Sequence, residues 1–180
     1  GHPYYDNETN QLFFSARDWI SDTGYDIWRS SYLEKQGVWS TPERLDGVNT
    51  DSQEMFPYFR DGKLYFASKG HEQNLGGFDI FVAELKADDN CNANCENKWV
   101  IKNMGMGINS SYDDFSIVFN KEGNSGYFTS NRVGGMGFDD IYEFGERKVT
   151  TEQPKEQSVV LNLVQKLAEE QCVDEKIKIE

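Results

Sequence analysis

The sequence predicts an all-β chain made of repeated four-stranded antiparallel units. Three observations predict it. A short Gly-containing motif that ends Asp-Ile-aromatic is written three times, as "DTGYDIW" (22–28), "NLGGFDIF" (74–81) and "MGFDDIY" (136–142). Runs such as "LYFAS" (64–68) and "GYFTS" (126–130) alternate large with small side chains, as half-buried strands do. Residues 1–144 carry no apolar stripe of helical period.

Each unit opens on an aromatic strand. Pro3-Tyr4-Tyr5 aligns with Pro57-Tyr58-Phe59, and "FSIVF" (115–119) opens the third copy. A polar turn follows, and "RDGK" (60–63) and "KEGN" (121–124) have the chemistry of hairpins, where Gly relieves a positive φ. The second strand is Leu12-Phe13-Phe14, Leu64-Tyr65-Phe66 or Gly126-Tyr127-Phe128. A glycine-bearing loop then leads into Asp26-Ile27-Trp28, Asp79-Ile80-Phe81 and Asp140-Ile141-Tyr142, the start of the third strand. The fourth lies in "VWSTPERLDGVNTDSQE" (38–54) and "KWVIKNMGMGINSSYDD" (98–114), and the last copy lacks it.

The recurring aspartates are 53 and 61 residues apart, the longer interval holding the insertion "DDNCNANCENK" (88–98). Four antiparallel strands at such a period describe the blade of a β-propeller. The repeats run over about 3–54, 55–114 and 115–144 within a propeller segment 1–144. Gly24, Gly77 and Gly137 are expected to allow tight turning where a Cβ would clash, and Asp26, Asp79 and Asp140 to accept turn amides. Closed propellers need about four blades or more. The ring is therefore expected to be completed by blades upstream of Gly1 or by another chain, and the start at "GHPYY" inside a repeat suits a segment of a longer polypeptide.

Beyond the repeats, 145–158 reads as a polar linker and 159–180 resumes apolar content. Val160, Leu163, Val164 and Leu167 fit a helix face, whereas Val159, Leu161 and Leu163, then Ile177 and Ile179, fit two strands.

The net charge of −13 argues against nucleic acid, whose phosphates need a basic footprint, and against an anionic membrane surface. No apolar run reaches 18 residues, so no membrane-inserting helix is expected from this segment. Three cysteines are too few for a disulfide scaffold. Cys91 and Cys95 are a candidate local bridge in an oxidising compartment, with Cys172 left over.

In order and repeated, "GVNTDSQEMFP", "FPYFRDGKLYFASKG", "GGFDIF" and "SNRVGGMGFDDIY" resemble the TolB-type, WD40-like propeller repeats of OmpA-family envelope proteins. Within that family the chain is most similar to PorE-like periplasmic lipoproteins of type IX secretion. The resemblance covers 3–144. It implies a non-enzymatic, periplasmic, outer-membrane-associated scaffold whose partners are other envelope or secretion-system proteins. Peptidoglycan would be bound through a domain outside this chain. The resemblance also favours strands at 159–180, opening a small carboxypeptidase-regulatory-like β domain.

No catalytic residue, cofactor or metal site is assigned. His2 and His71 are the two histidines, and His71, in "KGHEQNLGG", is expected to be a solvated loop residue. "SDTGYDIW" resembles the Asp-box of sialidase propellers, but the six arginines are scattered where catalysis would need a cluster. Asp88, Asn90, Asn92, Asn94 and Glu96 alternate oxygens in a loosely calcium-like way, without the turn glycine such loops need.

Candidate partner contacts fall in the insertions 17–24, 70–76 and 87–97, with Trp19 and His71 named. Trp28 is expected in the core, and Trp39 and Trp99 in equivalent blade packing. The alternatives to a protein-binding scaffold are a glycan-binding propeller using loop aromatics, or the accessory propeller of a hydrolase.

Overall fold

A computed structural model describes residues 1–17, 24–87 and 98–145. Trp19, the Cys91/Cys95 pair, Cys172, the acidic loop 88–96 and the segment 159–180 lie outside the described residues, as does the linker beyond Gly145. Among the described residues there is no helix, and the chain forms three antiparallel sheets in sequence order.

The first sheet contains β1 (Tyr4–Asp6), β2 (Gln11–Arg17), β3 (Tyr25–Leu33), β4 (Val38–Trp39) and β5 (Glu43–Arg44), in the order β1-β2-β3-β4 with β5 also on β3. The second is β6 (Glu54–Arg60), β7 (Lys63–Ser68), β8 (Asp79–Lys86) and β9 (Lys98–Asn103), in chain order. The third is β10 (Asp114–Phe119), β11 (Ser125–Ser130) and β12 (Asp140–Gly145).

The outermost strand differs between the first two sheets for a local reason. Beside β8, β9 pairs without a break from Lys98 opposite Lys86 to Asn103 opposite Phe81. Beside β3 the same edge is split into β4 and β5, with Ser40, Thr41 and Pro42 between them. Pro42 has no N–H to give the ladder. Ser40 fills the gap, its N–H donating to Ser31 O at 2.8 Å while its Oγ accepts from Ser31 N at 3.0 Å.

Period-two alternation sends successive side chains to opposite faces. In the second sheet both faces are covered. Leu64, Phe66, Phe81 and Ala83 turn towards the first sheet and join Phe13, Ile27, Leu45 and Val48 in one buried cluster. Ile80 joins Ile117 and Phe128 of the third sheet in another, flanked by Tyr65, Phe119, Tyr142 and Phe144. Rings pack across both junctions, Phe13 stacked on Phe59 at 4.9 Å and Tyr65 tilted against Phe119 at 4.8 Å. Trp28 is half-buried and Trp99 packs against the first cluster. Trp39 departs from the expected equivalence: it is 44% exposed on the interrupted edge, where less strand covers it.

Each unit holds a left-handed residue that is not glycine, within its first strand or just before it. These are His2 (φ 52), Phe56 (φ 55) and Ser116 (φ 58), at aligned positions, and the latter two sit where the ladders of β6 and β10 shift register. A bulge at this point lets the strand bend while its neighbour continues. Phe56 offsets the strain through ring packing, with its centroid 4.0 Å from His2 and 4.8 Å from Phe115. Ser116 is exposed and has no such compensation. Ser116→Gly is therefore expected to raise stability by about 0.5 kcal/mol, the left-handed penalty of an L-residue less the added entropy of an unfolded glycine. Ser116→Val is expected to lower it, and denaturant midpoints of the two variants decide the matter.

Candidate functional site

The recurring polar residues assemble where one sheet meets the next. The third strand of a sheet points the N–H and C=O of its isoleucine away from the second strand. In the first junction Ile27 N donates to Asn49 Oδ1 at 2.7 Å, and Asn49 Nδ2 donates back to Ile27 O at 2.9 Å. In the second junction the same pair recurs between Ile80 and Asn109, at 2.8 Å in both directions. A carboxamide is suited to this because one side chain carries both an acceptor and a donor. Asn49 and Asn109 thus act as one-residue strands. Their backbones come from the segment that leads into the next sheet.

A buried acid anchors that segment. Glu54, at the start of β6, accepts from Thr50 N at 2.9 Å, Thr50 Oγ1 at 2.7 Å and Ser68 Oγ at 2.6 Å. Asp114, at the start of β10, accepts from Ser110 N at 2.6 Å and Ser110 Oγ at 2.8 Å, and pairs with Arg132 at 2.5 Å. Arg132 lies over the rings of Phe128 and Tyr142, which shields the ion pair. Asn49, Glu54, Asn109, Asp114 and Arg132 had no assigned role in the sequence. The signal was the shared Gly-Val/Ile-Asn-Ser/Thr pattern of 47–50 and 107–110.

The three motif aspartates sit at equivalent strand starts but differ in partners. Asp26 is fully buried and meets Arg44 at 2.9 Å. Asp79, equally buried, accepts from Leu75 N at 2.7 Å and from Asn103 Nδ2 at 2.6 Å. Arg44 and Asn103 occupy matching register positions, opposite Trp28 and Phe81. Asp140 accepts from Met136 N at 2.9 Å and from Gly137 N. Burial pushes the Asp79 carboxyl above the ordinary aspartate range, and its two donors only partly oppose that.

The motif glycines are set by close approach more than by turning. A Cβ on Gly77 would lie 2.1 Å from Asp113 Oδ1, and one on Gly76 would lie 2.4 Å from the Ser111 carbonyl carbon. Both glycines make room for the Ser110–Asp113 turn that leads into the third sheet. Gly24 has φ +102 and a Cβ there would crowd Ser52 O at 3.0 Å. Gly137 is different, for a Cβ there would make ordinary contacts of 3.6 and 3.8 Å. The crowded glycine of the third copy is Gly135, 1.9 Å from Asp140 Oδ2 on the same construction.

His71 corrects the expectation of a solvated loop residue. It is half-buried, its Nε2 donates to Val48 O at 2.7 Å, and its ring packs against Phe66 and Phe81 at 5.5 and 5.1 Å. The loop dips into the first junction because Val48 leaves a carbonyl there to be satisfied. His2 Nδ1 lies 3.1 Å from Ser15 Oγ, but Ser15 is fully buried and donates to Gly1 O, so no substrate reaches that hydroxyl.

Beside the first junction an open polar depression of ≈ 490 Å³ is lined by Arg44, Asn49, Thr50, Asp51, Ser52 and Gly70. Among the described residues no three acidic, cysteine or histidine side chains converge as metal ligands, and no helix is long and apolar enough to cross a membrane. Compared with models of known protein families the chain matches none, and it has no significant match among curated proteins.

Two outcomes follow from this geometry. Asn109→Ala leaves the buried Ile80 N–H unpaired, while Ile80 O keeps the Met104 N–H at 3.1 Å, and the expected loss is about 1–3 kcal/mol by chemical denaturation. The second concerns pH. Asp113 is half-buried, and although burial raises its carboxyl, the Phe78 N–H, Lys69 and Asn131 outweigh that and hold it below the ordinary value. Its contribution is present above the unfolded aspartate pKa and is lost as pH falls through the folded one. Asp79 has the opposite sign, costing stability as pH rises from the ordinary aspartate value through its raised one. Between acid and neutral pH, Asp113→Asn is expected to fall progressively behind the parent chain while Asp79→Asn gains on it. Parallel unfolding curves at several pH values test both slopes.

Proposed function

We propose that this chain is a run of β-propeller blades serving as a non-catalytic, protein-binding scaffold segment of a periplasmic, outer-membrane-associated protein. One observation carries the reading. Successive sheets are joined face to face by the same Asn–Ile amide pair, with an acid-anchored segment behind it, in both junctions. Repeated radial stacking of small antiparallel sheets is what a propeller is, each blade touching its neighbours. The repeated polar groups that would draw attention as chemistry are engaged in internal pairs: Asp26 by Arg44, Asp79 by Asn103, Asp114 by Arg132. That leaves the loops and sheet edges for partners, namely other envelope or secretion-system proteins. Envelope placement and the link to type IX secretion rest on the motif resemblance alone.

Glycan binding is a second reading, favoured by one feature. Tyr5, Tyr32 and Trp39 are exposed together on the first sheet, with Trp39 5.9 Å from Tyr5 and 5.3 Å from Tyr32, edge to face. Tyr5 OH donates to Asn10 Oδ1 at 2.6 Å, and Asn10 donates to Glu34 at 2.8 Å, giving the rings a polar rim. Quenching of Trp39 fluorescence by peptidoglycan fragments would favour this reading over the first.

The scaffold reading is tested in the producing cell. An antibody to this segment is expected to detect, in the outer-membrane fraction, a polypeptide several times larger than 20.7 kDa. A band at 20.7 kDa in a soluble fraction without envelope proteins would overturn it.

A further inference from the structure

The isoleucine of the third strand compares three chemically identical positions. Ile27 is 0% exposed and Ile80 1%, but Ile141 is 77% exposed. The difference is in what lies opposite. Ile27 is faced by Leu45, Val48 and Asn49, and Ile80 by Met104, Ile108, Asn109 and Ile117. Around Ile141 the register places further side chains on the same face. Thr129 is opposite Ile141, and Val118, Tyr127 and Glu143 form the adjoining row. Tyr127 is 50% and Val118 44% exposed, whereas Phe13, at the position aligned with Tyr127, is fully buried. Met136 and Phe138 extend the apolar surface into the preceding loop, both exposed.

From this we infer that the outer face of β10–β12 is a docking surface for one kind of occupant. That occupant is a polypeptide segment carrying a further Gly-Val/Ile-Asn-Ser/Thr latch, whose asparagine pairs with the N–H and C=O of Ile141. The inference deepens the propeller reading and rests on it. The occupant's chemistry comes from the two filled junctions, which bury aligned isoleucines with the same side chain and the same two hydrogen bonds.

This sequence writes the latch twice, at 47–50 and 107–110, and both asparagines are engaged. A second copy would have to open one of its own junctions to supply one. The face also specifies more than a generic repeat. Thr129 and Glu143 stand where Ala67 and Val82 stand in the second sheet, so the occupant presents a donor or a cation there in place of an apolar side chain.

Amide exchange of Ile141 reads the outcome directly, because the docked asparagine would accept its N–H. The probe is a synthetic peptide with the sequence of residues 104–114, offered at millimolar concentration to the full chain. Exchange at Ile141 is expected to slow about tenfold, corresponding to about 1.4 kcal/mol. The same peptide with alanine for its asparagine is expected to leave the rate unchanged. Ile141→Asp, at a position already exposed and so compatible with folding, is expected to abolish any stabilisation of the chain by the peptide. Equal protection by both peptides, or by neither, overturns the inference. So does an Ile141 amide protected without peptide: dependence of that protection on protein concentration would assign the face to a second copy, and independence to this chain itself. None of these results alters the size of the polypeptide detected in the envelope, so failure here is distinguishable from failure of the scaffold reading.

Discussion

A strand in a stack of small sheets has a problem at the point where it leaves its neighbour. Its backbone N–H and C=O alternate in direction, so one residue must aim both groups away from the ladder. If that residue is also apolar and covered, the two groups cannot be left to water, and an unmade bond there costs more than a made one gains. Asn49 and Asn109 resolve it with a carboxamide each, the Leu45 and Met104 N–H groups sharing the two carbonyls. Almost every other recurring feature follows. The acids Glu54 and Asp114 hold the asparagine-bearing segment in position, and Gly76 and Gly77 let it pass close to the preceding sheet. The flanking Leu45, Val48 and Ile108 close the apolar side.

The three sheets are therefore alike in sequence but unlike in circumstance. The second is covered on both faces, which is why "KLYFAS" carries aromatics on alternate sides and is nearly all buried. The third buries Phe128 and shows Tyr127 to solvent, though the two strands are written almost identically. Burial here is a property of neighbours more than of residue type. Charge placement follows the same logic. Asp113 gains partners from three directions and stays ionised readily, whereas Asp79 is enclosed with too few.

The all-β class, the strand pairs and the hairpins at Gly62 and Gly123 were legible in the sequence, because alternation and turn chemistry are local. What stayed hidden was long-range. Asn49 and Asn109 were visible as a repeated word, but their partners lie 22 and 29 residues away, and no local pattern says which backbone a carboxamide will meet. Gly77 read as a turn residue because its crowding neighbour, Asp113, lies far downstream, in the segment that leads into the third sheet. His71 read as solvated because the carbonyl that captures it, at Val48, is 23 residues upstream. The third copy misled because Gly137 is the glycine nearest its aspartate, but Gly135 has the contact.

The latch has a direction. Each sheet is closed by residues that the chain reaches only later, Asn49 for the first and Asn109 for the second. On a ribosome, then, a sheet can form its ladders as it emerges but cannot seal its outer face until the following unit begins to appear. Maturation would run as a wave one unit behind synthesis, with the newest sheet always the unsealed one. Such a chain is most exposed to misassembly at its growing end, and a pause in translation between units would prolong that exposure.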